Sequence, residues 1–150
     1  MSAQQPQAGL DVGAVTRTRQ QEWAQRAYEA VQRRQRSGAG SEYATICKGF
    51  AALIHHSGLC QALAFAEAKS GGAGGRSEMG QYLDDLARVL GQERQQLITS
   101  SRSADVLAYQ RLSRDALLAA TWLKRYAEAL LDKVNDDENS SNGGGRAVHV

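Results

Sequence analysis

An all-α fold is predicted by three features of this 150-residue chain. Apolar residues recur at the three- and four-residue intervals that gather them on one face of a helix. Proline occurs once, at Pro6, ahead of every candidate helix, while the good helix formers Ala, Leu, Gln and Arg are abundant. No run of four residues alternates Val, Ile, Thr or aromatic side chains with polar ones, so a strand signal is missing. The length suits one domain, and an apolar content of 42% fills one core rather than two. The expected architecture is a compact bundle of about five to six helices over residues 16–134, with disordered tails at 1–15 and 135–150.

The first helix is expected from about Thr16 to Arg36. Ala24, Ala27, Tyr28 and Val31 form its apolar stripe, with Trp23 beside it and arginines and glutamines around the rest. Ser37 to Ser41 (SGAGS) stops it. The second runs from about Glu42 to His55, where Tyr43, Ile46, Cys47, Phe50, Leu53 and Ile54 fall on one side and Lys48 nearly opposite. Ser57-Gly58 breaks it. The third, Leu59 to Lys69, is apolar almost all round, a pattern that predicts a central position.

SGGAGG, from Ser70 to Gly75, reads as a flexible loop; no Lys-Ser follows the glycines and no strand precedes them, so a phosphate-binding loop is not supported. Ser77 caps a fourth helix that carries Met79, Tyr82, Leu83, Leu86, Val89 and Leu90 and that Gly91 ends. Gln92 to Arg102 is polar and promises a weak turn around Leu97 and Ile98. Ser103 is read as the cap of a short helix to Arg111, and the last helix as running from near Ser113 to near Val134. On a wheel, Leu112, Ala116, Ala119, Leu123, Ala127, Leu130 and Val134 share one side, opposite Arg114, Thr121, Arg125, Glu128 and Asp132. Leu118, Trp122 and Tyr126 fall between, either as the rim of a wide core contact or as an apolar patch for another subunit.

Charge is unevenly spread. The whole chain carries +2, but Asp136, Asp137 and Glu138 against Arg146 leave the tail at −2, so residues 1–134 carry +4. Arg17, Arg19, Arg26, Arg33, Arg34 and Arg36 stand against only Glu22 and Glu29 in the first helix. Such a helix suits an anionic partner, and its arginines would serve equally as a solvated face. No basic start with an apolar core marks a signal peptide, and no stretch reaches the roughly 18 apolar residues of a membrane span; a cytoplasmic location is expected.

No constellation for chemistry stands out. His55 and His56 project about 100° apart from a helix and cannot readily share one metal. They read as helix-end histidines beside the C-terminal dipole. Asp84 and Asp85 diverge in the same way. Cys47 and Cys60 sit on apolar faces as small hydrophobes, and a disulfide is not expected. An aromatic content of 6% and the absence of a glycine-flanked aromatic strand motif argue against base stacking on a sheet. Any nucleic-acid contact is expected through phosphates, from Arg and Lys on helices. No enzyme activity, metal or cofactor is expected.

Two segments resemble a known family. One, LIHHSGLCQALAFAEAK, supplies Leu53, Ile54, Gly58, Leu59, Gln61, Ala62, Leu63, Ala64, Phe65 and Lys69. The other, within Tyr109 to Leu131, supplies Tyr109, Arg111, Leu112, Asp115, Ala116, Leu117 and the run WLKRYAEA from Trp122 to Ala129. Together they are similar to the small subunit of the type III-B CRISPR effector, the Cmr complex. The resemblance covers about Arg17 to Leu131. Departures are Ala51-Ala52 where relatives often carry a proline, Ser57 where they carry an asparagine, and the fourth helix with its glycine loop.

The resemblance implies a compact helical subunit without catalytic residues. Copies would stack head to tail into an inner filament along the backbone subunits, helping to hold guide RNA and target RNA in antiviral defence, with no membrane or small-molecule substrate involved. Within it, Arg26, Arg33, Arg34, Lys48, Lys69, Lys124 and Arg125 are the candidate RNA contacts, and Leu118 and Trp122 the candidate subunit contacts. The competing reading is a helical protein-interaction adaptor without RNA, its arginines serving solubility alone.

Overall fold

The computed structural model describes residues 16–71 and 77–132. Among them six helices follow in order and no strand occurs: α1 (Arg19–Arg36), α2 (Ser41–Ser57), α3 (Leu59–Lys69), α4 (Glu78–Val89), α5 (Arg94–Ser103) and α6 (Val106–Leu130). The expected tails, most of the glycine loop and a helix end at Val134 lie outside the described residues.

Local chemistry sets the helix ends. Thr18, not Thr16, opens α1: its hydroxyl accepts from the Gln21 N–H at 3.1 Å and the Gln21 side chain accepts from the Thr18 N–H at 2.8 Å. Ser77 caps α4 as expected, accepting from the Gly80 N–H at 3.1 Å. Gly91 follows its end at φ +73°, a conformation that L side chains rarely adopt. A single residue, Gly58 at φ +81°, separates α2 from α3, so the chain turns there without a loop.

The bundle is centred on α4, which packs against each of the other five helices and buries eight of its twelve residues. This corrects the expectation that α3 is central. α3 buries Leu59, Ala62, Leu63 and Ala66, mainly against α2, α4 and α5, but Ala64, Phe65 and Ala68 face outward and Phe65 is 46% exposed. An alanine-rich helix is apolar on every side without supplying much area on any. The larger Tyr82, Leu83 and Leu86 of α4 fill the middle instead.

Two further expectations are corrected. Gln92 to Arg102 is not a weak turn: α5 is a ten-residue helix, anchored by buried Leu97, Ile98 and Ser101. A helix so short gains its stability from packing rather than propensity, and polar composition hid it. The break expected near Ser113 is absent. Asp105, not Ser103, is the cap, accepting from the Ala108 N–H at 2.8 Å, and α6 continues for 25 residues, about 37 Å. No Gly or Pro interrupts it.

α1 and α6 run alongside in the same direction: Gln20 meets Trp122, Tyr28 meets Tyr126, and the Gln35 side chain donates to the Leu130 carbonyl at 2.9 Å. α2 runs opposite to α6, with Lys48 at Asp132 and Gly58 near Tyr109. Ala27 and Ala30 on α1 and Ala116, Ala119, Ala120 and Ala127 on α6 are buried in the packing, where small side chains let helices approach closely.

Candidate nucleic-acid interface

Of the seven predicted RNA contacts, Arg34 is turned inward. Its Nε donates to Asp85 Oδ2 at 2.9 Å and its Nη2 to Oδ1 at 3.0 Å. Asp85 is fully buried, and its Oδ2 also accepts from the Tyr43 hydroxyl at 2.6 Å. One carboxylate therefore ties α1, α2 and α4 together. Burial opposes the Arg34 charge, but the bonds to Asp85 and its attraction outweigh that and hold the guanidinium above its ordinary range. These donors reach a phosphate only by leaving a buried carboxylate behind.

Two more cations have internal tasks. Arg26 Nη1 donates to the Val89 carbonyl at 3.1 Å, where the last turn of α4 has no helical partner to offer. Lys48, exposed as expected, pairs with Asp132 of the chain segment after α6. The remaining four lie on the surface or at its edge. Arg33 is exposed on α1. Lys69 closes α3 with its ammonium 5.2 Å over the Phe65 ring. Lys124 is half-buried, and Arg125, 64% exposed, leans toward Glu128 at 3.8 Å. These seven are not gathered into one patch: α3 packs mainly against α2, α4 and α5, so Lys69 at its far end stands apart from the cations of α1 and α6.

The outer face of α6 holds cations that the sequence reading did not select. At 100° per residue, Arg111, Arg114, Leu118, Trp122 and Arg125 fall within a sector of about 80°. That sector is opposite the buried Ala116, Ala120, Leu123 and Ala127. Arg111 and Arg114 are exposed. The signal was available on the helical wheel, but the break expected near Ser113 detached Arg111 from the rest.

Beside this ridge three rings form a ladder across the α1–α6 seam. Trp122 and Tyr126 are stacked at 18° with centroids 5.9 Å apart, and Tyr28 meets Tyr126 edge-on at 5.5 Å. The Trp122 Nε1–H donates to Gln20 Oε1 at 2.7 Å, which fixes the indole. All three rings and Leu118 are half-buried, and Leu118, Trp122 and Tyr126 pack against the core from its rim.

The groups weighed for chemistry are dispersed. His55 and His56 are exposed in the last turn of α2. Asp84 is bound bidentately by Arg94, at 2.7 and 2.9 Å. Cys47 is buried and its thiol is pushed up to about 12 by that burial; Cys60 is half-buried, and both are free thiols. Burial likewise raises Tyr43 and Tyr82 above the ordinary phenol range. Among the described residues no group of three His, Cys, Asp or Glu side chains is placed to hold a metal ion, and no helix is long and apolar enough to cross a membrane.

Comparison with known proteins gives a consistent result. The family described as CRISPR-associated protein (Cas_Cmr5) matches residues 19–130, from the first residue of α1 to the last of α6. A CRISPR system Cmr subunit Cmr5 from Thermus thermophilus is 39% identical over 118 residues, covering 78% of this chain and 99% of that protein. A crystal structure of a CRISPR-associated Cmr5 family protein from the same organism superimposes with a TM-score of 0.65 at 39% identity, covering 77% of this chain and 98% of that one. With its six-helix domain matched from end to end and its relative covered almost completely, the chain belongs to the Cmr5 family of CRISPR-associated proteins.

Proposed function

We propose that this protein is the small, non-catalytic subunit of a type III-B CRISPR effector, the Cmr complex. It stacks with further copies of itself into an inner filament along the backbone subunit and helps to hold guide and target RNA through their phosphates. The observation that carries this reading is the family match across the entire helical domain, with a relative that is itself named a Cmr subunit. The surface is compatible with it: Arg33, Lys69, Lys124 and Arg125 make no bond to a buried carboxylate, and Arg111 and Arg114 add to them. Dispersed helix-borne cations suit contact with RNA of any sequence, because phosphates repeat while bases do not. Arg34 is left out of the RNA set, since Asp85 holds it. Leu118 and Trp122 are the candidate subunit contacts, and the domain acting in this role is residues 16–134.

Gentle purification of the tagged protein from its host tests the assignment. Co-purification of Cmr-type subunits with short guide RNAs is the expected result. Recovery of the protein alone, from cells expressing such a complex, would overturn it and favour the adaptor reading. Changing Lys124 and Arg125 to Glu together is expected to lower RNA retention most at low salt, and unchanged retention would remove this pair from the RNA-contacting set.

A further inference from the structure

We infer that the outer face of α6 binds single-stranded RNA by base stacking on Trp122, with Arg114 and Arg125 holding the adjoining phosphates. This inference rests on the RNA-binding reading above, departs from its phosphate-only form and moves Trp122 from the subunit contacts to the RNA contacts. Three observations carry it.

First, the ring is pre-set. The Trp122 Nε1–H is satisfied by Gln20 at 2.7 Å, and Tyr126 lies against the indole at 18°. An indole already oriented loses little freedom when a base settles on it. Second, the half-buried ring sits on a ridge that carries Arg114 and Arg125 to either side of Leu118 and Trp122. Arg125 lies one turn after it and Arg114 about 12 Å before it along the axis. Third, cations outnumber anions on both helices of the seam. With Arg34 taken up by Asp85, Arg19, Arg26, Arg33 and Arg36 stand against Glu22 and Glu29 on α1, and Arg111, Arg114, Lys124 and Arg125 against Asp115 and Glu128 on α6. Both α6 acids are engaged, Asp115 by Arg19 and Glu128 by Arg125. Trp, Tyr and Arg suit the centre of a protein interface as well; the excess of positive charge on both helices is what favours a polyanion here. Aromatics interleaved with arginines are the composition that tracks a single strand, since every base offers a π-face and every nucleotide a phosphate.

The test uses the full chain and three probes of equal length and charge: oligoadenylate, oligouridylate and an RNA strand with abasic positions throughout. Stacking predicts affinity falling in that order, adenine offering the largest ring. Trp122→Leu is expected to weaken oligoadenylate binding by about fivefold or more with the salt slope unchanged. Trp122→Phe retains most of the affinity, and circular dichroism confirms that both variants fold. Arg125→Gln is expected to reduce the salt slope by about one. Equal affinity for all three probes, with Trp122→Leu neutral, would overturn stacking and leave phosphate contact standing. No affinity for any RNA, alone or in the assembled complex, would overturn stacking and the RNA reading together. Normal RNA binding by Trp122→Leu with loss of assembly would instead assign the ridge to a protein partner.

Discussion

Asp85 and Arg34 meet through two parallel bonds at the centre of the bundle, Nε to Oδ2 at 2.9 Å and Nη2 to Oδ1 at 3.0 Å. The carboxylate is fully buried and the arginine side chain 18% exposed. Removing either partner strands the other, and loss of one member of a buried pair costs about 3–5 kcal/mol. Asp85→Ala and Arg34→Met are each expected to destabilise within that range in urea titrations. The double variant should lose much less than the sum, since neither charge is then left alone. Strict additivity would show that the two residues act independently.

Cys47 and Cys60 differ in reach. Cys47 is fully buried with its thiol held at about 12, whereas Cys60 is half-buried at the start of α3. Thiolate is the reactive form, so one thiol should react with a maleimide or an aromatic disulfide under native conditions at about pH 8 and two after unfolding. Mass spectrometry should place the native adduct on Cys60. Rapid native labelling of Cys47 would contradict the packing described.

The same burial predicts alkaline instability. The folded Cys47 keeps its proton up to about pH 12, whereas the unfolded chain releases it near the ordinary value of 9.0. The folded state therefore binds more protons between these values, and its stability, complete below about pH 9, is lost as pH rises through the interval. Tyr43 and Tyr82, raised from 10.0, act in the same direction. Urea midpoints measured from about pH 8 to 11 should fall continuously, and less steeply for Cys47→Ala. A flat profile would show that these groups titrate alike in both states.

Tyr109 reaches from α6 to the start of α3. Its hydroxyl accepts from the Cys60 N–H at 3.1 Å, one of the first-turn donors that a helix cannot satisfy itself. Tyr109→Phe is expected to cost about 1 kcal/mol. Gly58, beside it at φ +81°, is a harsher site: a Cβ there is strained and would stand 3.6 Å from the same hydroxyl. Gly58→Ala should cost about 1–3 kcal/mol by thermal or chemical melting. A neutral effect would mean that the α2–α3 junction relaxes freely.

Tyr82 gives the opposite sign. Its ring packs between Tyr43 and Phe50, at centroid distances of 6.3 and 4.9 Å, and its buried hydroxyl has no hydrogen-bond partner among the described residues. Tyr82→Phe keeps the ring and removes the polar atom, so a gain of about 1 kcal/mol is expected. Destabilisation would reveal a partner for that oxygen.

Periodicity alone placed α1, α2 and α4 to within a few residues, because each carries large apolar side chains at helical spacing and ends on Ser, Thr or Gly. The WLKRYAEA run from Trp122 to Ala129, with Leu53 to Lys69, was enough to point to the family. What sequence left open was position. The nearly all-apolar α3, expected at the centre, gave that place to the half-polar α4, since burial depends on which neighbours supply area, not on a helix's own composition. α5 was hidden for a related reason: Leu97 and Ile98 fix it only by docking against α3 and α4, and Arg94 by reaching Asp84.

For the functional surface, sequence determined the supply of arginines and tertiary structure decided their use. Arg34 and Arg125 are indistinguishable as letters, yet one lies beside a buried carboxylate 51 positions away in sequence and the other stands 64% exposed on α6. Helical spacing is written into a chain locally. The partner that a long, flexible cation finds is set by which helices meet, and only the packed structure brings those groups within bonding distance.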